Sequence, residues 1–213
     1  MKKTTFKSVA LMAAVALMGT MFVNCGGGAS GNSVVDDAIS QAEQTITLVE
    51  TPIFGTLPSL LQQKLEAGTI VGKYFRELKT DDMDAAIKNK QLRDEAEESL
   101  SAIYKQKISE AANALDGKDV KVEFDENQIS AATATLKVSE ADRGFFNFVF
   151  DVTMANPVNK EVLFKWVFMD AEGNELQTSS DYLTPGEKMT KEYMVIPSDD
   201  YCQKFDHLYL KFE

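Results

Sequence analysis

The hydrophobic pattern changes period at Gly117, and that change limits the chain to a helical part followed by a β part. Before it, apolar residues recur at three- and four-residue steps, which place them on one face of a helix. Val34, Val35, Ala38, Ile39, Ala42, Ile46 and Val49 form one such stripe, and Thr51-Pro52 closes the helix they predict. Leu60, Leu61, Leu65, Ile70, Tyr74, Phe75 and Leu78 form a second. Pro58 suits its first turn, while Gly68 and Gly72 predict a break or a close helix contact. A third helix, capped by Asp81 or Thr80, runs to Leu115 with Ala96, Leu100, Ile103, Tyr104, Ile108, Ala111 and Leu115 inward. Asp116-Gly117 ends it.

Beyond Gly117 apolar and polar residues alternate, as in strands with one buried face. Val120, Val122 and Phe124 alternate with Lys121 and Glu123; Phe146, Phe148, Phe150, Val152 and Met154 with Asn147, Asp151 and Thr153. Val162, Phe164, Trp166 and Phe168 make another face, and Leu208, Leu210 and Phe212 a last one, opposite Tyr209 and Lys211. Further runs lie near 129–138, 175–181 and 188–196, separated by Asn156-Pro157, Glu172-Gly173-Asn174, Pro185-Gly186 and Pro197-Ser198. Seven such strands in about 95 residues predict an antiparallel β-sandwich of immunoglobulin-like type. The fold class is therefore α+β: a helical bundle over 34–116 and a seven-stranded sandwich over 118–213.

The first residues address a different question. Lys2, Lys3 and Lys7 precede 15 residues from Val9 to Val23 that are mostly apolar, against the roughly 20 a membrane helix needs. The run ends in Phe22-Val23-Asn24-Cys25-Gly26. This resembles the lipobox of bacterial lipoproteins, with Phe22 where Leu is usual and Asn24 where a small residue is usual. The resemblance implies a signal peptide over 1–24, cleavage before Cys25, and lipid on that cysteine that anchors the chain to a bilayer. Several acyl chains hold firmly because each buried methylene contributes about 0.8 kcal/mol. Residues 25–33 then read as a Gly/Ser-rich tether with a root-mean-square reach on the order of 15 Å. Gly26 follows the cysteine, and no acidic cluster comes directly after it. By resemblance to lipoprotein sorting rules this points to the outer membrane facing the periplasm, with the cell surface as the alternative.

Removing residues 1–24 takes away three lysines and no acid, so the net charge goes from −11 to −14. A chain that acidic is repelled by nucleic acid and, as a whole, by anionic headgroups. Its densest basic stretch, Lys88-Asn89-Lys90-Gln91-Leu92-Arg93, runs straight into acids. With Cys25 lipidated, Cys202 has no intramolecular partner, and a small buried apolar role is expected for it.

A second resemblance rests on Trp166-Val167-Phe168-Met169-Asp170-Ala171-Glu172-Gly173-Asn174-Glu175-Leu176 and Leu183-Thr184-Pro185-Gly186-Glu187, preceded by Val152-Thr153-Met154-Ala155-Asn156-Pro157. These are similar to the strand, turn and corner of FxLYD-type and late-embryogenesis-abundant-type sandwich domains, with Met169 where that family prefers Tyr. The similarity implies an exported accessory or interaction module and carries over no catalytic residue.

Chemistry is thin in the sequence. His207, the only histidine, is expected on the outer face beside Tyr209 and Lys211, and with Cys202 it makes too few ligands for zinc. There is no Gly-x-Ser-x-Gly elbow, His-Glu-x-x-His, Walker loop or dinucleotide glycine motif. Asp81, Asp82 and Asp84 suit a helix start, and Glu95, Glu97 and Glu98 a solvated helix face. The 170–175 segment lacks the alternate oxygens and terminal Glu of an EF-hand and reads as a hairpin turn. No catalytic residue, cofactor or metal ligand set is expected. The apolar segment 53–61 reads as a buried helix connection, with a partner- or membrane-facing patch as the alternative. The expectation is a non-catalytic envelope binding or assembly module with an envelope protein partner. Its rivals are a carboxylate-based hydrolase of envelope glycans and a structural subunit of an envelope complex.

Overall fold

A computed structural model describes residues 32–44, 47–183, 186 and 188–213. Cys25, the 1–24 segment, most of the tether, Ile46, and Thr184, Pro185 and Glu187 of the corner lie outside the described residues. Three helices come first: α1 (Ser33–Gln44), α2 (Leu57–Glu77) and α3 (Met83–Asn113). Eight strands follow: β1 (Asp119–Val120), β2 (Val122–Phe124), β3 (Ile129–Glu140), β4 (Phe145–Met154), β5 (Val162–Met169), β6 (Glu175–Leu183), β7 (Lys188–Val195) and β8 (His207–Phe212). No helix among the described residues is long and apolar enough to cross a membrane.

The first helix is shorter than its stripe predicts. It ends at Gln44, and 47–50 lies irregularly across α2, held where Gln63 Nε2 donates to the Thr47 carbonyl at 2.7 Å and the Val49 N–H donates to Ser59 Oγ at 3.2 Å. Val49 is therefore exposed. Neither glycine breaks α2. A Cβ on Gly72 would lie 3.9 Å from an Arg93 guanidinium nitrogen, so this is where α3 passes close. Leu65 faces solvent, because the inward stripe runs through Leu60, Gln63, Ala67, Val71 and Phe75 instead. Asp82 caps α3: its Oδ1 accepts from the Asp84 and Ala85 amides at 2.8 and 3.1 Å. Ala96, Leu100, Tyr104, Ile108 and Ala112 are buried one turn apart.

The strands form two four-stranded sheets, ordered β1-β3-β4-β7 and β2-β8-β5-β6. The count is eight and not seven because 119–124 is divided: β1 pairs with β3, and after Lys121 the chain crosses to pair β2 with β8. That second pairing is parallel, so the β part is not purely antiparallel. The sheets face each other through rings: Phe148 on Phe168 at 5.7 Å, Phe150 on Phe164 at 5.7 Å, and Trp166 on Tyr193 at 4.0 Å between centroids.

The two parts share one buried cluster. The 51–55 loop closes on itself through reciprocal Thr51–Gly55 backbone bonds of 2.9 and 3.1 Å, with Gly55 at φ 54°. Only glycine takes that conformation without strain. The loop delivers Phe54 onto Phe146 (5.9 Å) and Phe205 (6.2 Å) at one end of the sheets. Gly144, at φ 68°, lets the β3–β4 turn approach α2 so closely that a Cβ there would sit 3.1 Å from Leu61 Cδ1. Segment 53–61 is thus largely buried at this joint and offers no partner-facing patch.

Candidate functional site

His207 departs from expectation most clearly. It is only 5% exposed. Strand β8 lies between β2 and β5, so even its outward side is flanked by Glu123 and by Met169, its register partner. The imidazole Nδ1 lies 2.9 Å from Asp206 Oδ2, and Nε2 lies 3.8 Å from Glu123 Oε2. Lys121 Nζ reaches Glu123 at 2.8 Å; that contact holds the Glu123 carboxyl below its usual range and raises the Lys121 ammonium. Both ring nitrogens thus face carboxylates, and no serine, the group a hydrolytic triad needs, is set against them among the described residues.

Asp170 holds a turn. Its Oδ1 accepts from the Glu172 and Asn174 amides at 3.0 and 2.7 Å, and its Oδ2 accepts from Asn174 Nδ2 at 2.9 Å. These bonds, the Asn174 side chain first, hold its carboxyl below the usual range. The same oxygens are therefore engaged by N–H groups and not arranged around a cation. Among the described residues, no group of three or more His, Cys, Asp or Glu is placed to hold a metal ion. Cys202 is buried, with Sγ 3.5 Å from the Ile196 carbonyl, and burial pushes its thiol up to about 12. A thiol so protonated is a poor nucleophile at neutral pH.

The feature that sequence reasoning missed lies between α2 and α3. Gly68, Thr69, Gly72 and Arg76 of α2 and Arg93 of α3 line an open groove of about 270 Å³. The chain has only three arginines, Arg76, Arg93 and Arg143, and two of them meet here. Arg93 Nε donates to Glu97 Oε1 at 2.7 Å, while Arg76 makes no ion pair among the described residues. The signal was present in pieces: the glycine pair one turn apart on α2, and the basic stretch ending at Arg93. Only the antiparallel pairing of the two helices joins them.

Beyond the groove the helical hairpin goes on as a bare tip. From Met83 to Glu95 no residue of α3 is buried, and Asn89 Nδ2 donating to the Leu78 carbonyl at 2.8 Å ties the two helices there. Leu78, Met83 and Ile87 are exposed, Met83 to 78% and Ile87 to 54%. On the β part, the exposed large apolar residues are Tyr182, at the end of edge strand β6, and Met194 and Ile196, on and just beyond edge strand β7.

No family model matches the chain, and no curated protein does. One solved structure, that of cj0090 from Campylobacter jejuni, aligns with 44% of this chain and 98% of its own at 15% identity, with a TM-score of 0.26.

Proposed function

We propose that this protein is a lipid-anchored envelope lipoprotein in which a helical stalk carries a non-catalytic binding or assembly module. The observation that carries the reading is the separation of the two ends. The β3–β4 turn meets α3 at Lys105, 3.6 Å from Asp142, and the N-terminal end of α3 lies roughly 30 Å away along the helix. The chain comes into α1 on the far side of the helices from the sheets, so a lipid on Cys25 would leave the β part projecting. We read that part as an immunoglobulin-like sandwich of FxLYD or late-embryogenesis-abundant type. The β5 strand running into the Asp170 turn and β6 supports this, being the hairpin those domains share. Its partner is an envelope protein taken up along β6 and β7, whose outer edges have no neighbouring strand among the described residues and carry Tyr182 and Met194.

Two experiments test this. Growth with an alkyne fatty acid should label the wild-type protein and not a Cys25→Ser variant; equal labelling of both removes the anchor. Photo-cross-linking in intact cells from positions 182 and 194, against a control at exposed Glu126 between β2 and β3, should capture one reproducible protein from the edge positions alone. Equal capture from all three removes the edge-strand partner.

A further inference from the structure

The tip of the α2–α3 hairpin points to a surface of its own. Alpha-helical spacing puts Met83, Ile87 and Lys90 on one stripe of α3, with exposed Leu78 at the end of α2 beside its start. Around these apolar residues stand Lys73, Arg76, Lys79, Lys88, Lys90 and Arg93, against four acids, Glu77, Asp81, Asp82 and Asp84, over 73–93. The acids are partly engaged: the Asp82 carboxylate caps α3, and Glu77 lies 3.9 Å from Lys73. Arg76, Lys79, Lys88 and Lys90 have no ion pair among the described residues. Residues 73–93 thus carry a formal +2 on a chain of net charge −14 from Cys25 onward, a local inversion of sign whose cations flank the three aspartates at the turn. Directly after Arg93, Asp94, Glu95, Glu97 and Glu98 restore the negative sign, Glu97 already paired with Arg93.

The direction of α1 says what this end meets. Tyr74 donates its hydroxyl to Asp37 Oδ2 at 2.9 Å, while Gln63 reaches back to Thr47, so α1 runs antiparallel to α2. Ser33 lies about 6 Å beyond Asp37 along the axis, which places the start of α1 level with the end of α2. The bare turns of α3 project past that level. Residues 26–32 can span at most about 25 Å, so a membrane holding Cys25 is within reach of the tip.

We propose that the hairpin tip docks on the bilayer that holds the anchor: Leu78, Met83 and Ile87 enter the headgroup layer, and the surrounding Lys and Arg side chains, with the Arg76–Arg93 groove, take anionic lipid phosphates. This deepens the lipoprotein reading and rests on it for the membrane's proximity, though not for the tip's own affinity. Of the −14, residues 118–213 carry −8, and at physiological salt, where the Debye length is about 8 Å, that share stands several such lengths away and is screened from the tip. Lysines near an anionic surface each add attraction, and a short apolar stripe adds shallow insertion. The groove, the glycine contact and the exposed tip become parts of one membrane-facing end.

The test uses the full chain in vesicles of three parts phosphatidylcholine to one part phosphatidylglycerol. Met83→Cys carries an environment-sensitive fluorophore, and Glu161→Cys, at the far end of the sheets, carries the same label; buried Cys202 stays unreactive. With lipidated protein, the label at 83 should shift to the blue and be quenched by a lipid-borne quencher, and the label at 161 should not. A label at 83 that reads as water while the protein floats with the vesicles overturns the docking and leaves the anchor standing. In the Cys25→Ser full chain, Lys79→Glu, Lys88→Glu and Lys90→Glu together should weaken vesicle partitioning at least tenfold, with the circular dichroism unchanged. Equal partitioning of the two overturns the proposal. Loss of anchoring in the wild type with the tip label still buried would instead remove Cys25 lipidation alone.

Discussion

The helical and β parts bury different kinds of surface. Among the sheets the core is aromatic, with Phe146, Phe148, Phe150, Phe164, Trp166, Phe168, Phe205 and Phe212 all buried. In the helices the buried residues are mostly small or aliphatic: Val35, Ala38, Ala42, Leu60, Ala67, Val71, Ala96, Leu100, Ile108 and Ala112. Small residues let helices approach closely but remove little apolar area from water, whereas each buried ring removes a large one. The β part can thus stand on its own core, while the helices draw on the joint at Phe54 and leave the first turns of α3 uncovered. A region unsupported in this way is suited to meet a surface; a region packed on rings is suited to keep its shape.

The strongest way to break the contrast is to cut the aromatic core. Phe148 touches Phe150, Phe168 and Phe205. Phe148→Ala is expected to cost about 3–5 kcal/mol, as for a fully buried ring that leaves a cavity. Urea titration followed by Trp166 fluorescence and by helical circular dichroism should show both transitions moving down together, since the buried cluster is continuous. Movement of the fluorescence transition alone would make the two parts independent.

Phe54→Ala attacks the joint and comes next in size, about 3 kcal/mol. Phe205 keeps Phe148 and Phe168 as partners after the change, whereas the helices lose their aromatic insertion. The expected signature is asymmetric: helical signal lost at lower urea than Trp166 fluorescence. Coincident transitions would mean that the Gly144–Leu61 contact and the Lys118 bonds to the Pro52 and Ile53 carbonyls hold the joint without the ring.

How much of this was legible beforehand follows from which residues obey a period. The buried positions Ala96, Leu100, Tyr104 and Ile108, and the alternating faces of β4, β5 and β8, could be read from spacing, because burial and period coincide there. Phe205 could not, since it lies in a connection where no period applies. The division of 119–124 between sheets could not either: Val120 and Val122 sit two apart and look like one strand, and only Lys121 crossing the gap separates them. His207 failed for a further reason. Alternation gives the side of a sheet, but what lies beside a central strand is set by its neighbours, here Glu123 and Met169. The Arg76–Arg93 groove needed two helices paired, which lies beyond any one periodic segment.

A smaller effect separates the parts by pH. Burial pushes Cys202 of the β part up to about 12 from its ordinary 9.0, and Tyr193 up to about 12, with the nearby Asp181 carboxylate adding to the shift. Each group stays protonated in the folded chain while the unfolded chain loses its proton, so the stability they contribute is fully present below pH 9 and falls as pH rises towards 12. Urea midpoints at pH 8, 10 and 11 should decline steadily, and Cys202→Ala should flatten the first part of the decline whatever it costs at pH 8. An unchanged slope would mean that the thiol is more accessible than its burial states. At the acid end Asp170 has the opposite sign: its folded value is lowered, so its contribution is present above the ordinary 3.8 and is lost as pH falls below it.

The smallest expected change sharpens the helical side. Tyr104 is fully buried in α3, and its hydroxyl has no hydrogen-bond partner among the described residues. Burial pushes it up to about 12, and the Glu43 and Glu66 carboxylates add to the shift. Removing a buried polar group that lacks a partner recovers its desolvation cost, so Tyr104→Phe should raise stability by about 1 kcal/mol. The ring remains to fill the site and to face Lys107, whose ammonium lies 5.6 Å from its centre. Because the helices lean on the joint, the gain should appear chiefly in the helical transition of the Phe54→Ala background, where that part unfolds first, and less in the wild type, where the two melt together. A loss of stability in both backgrounds would show the hydroxyl bonded in solution, and the helical core would then be better satisfied than its small side chains imply.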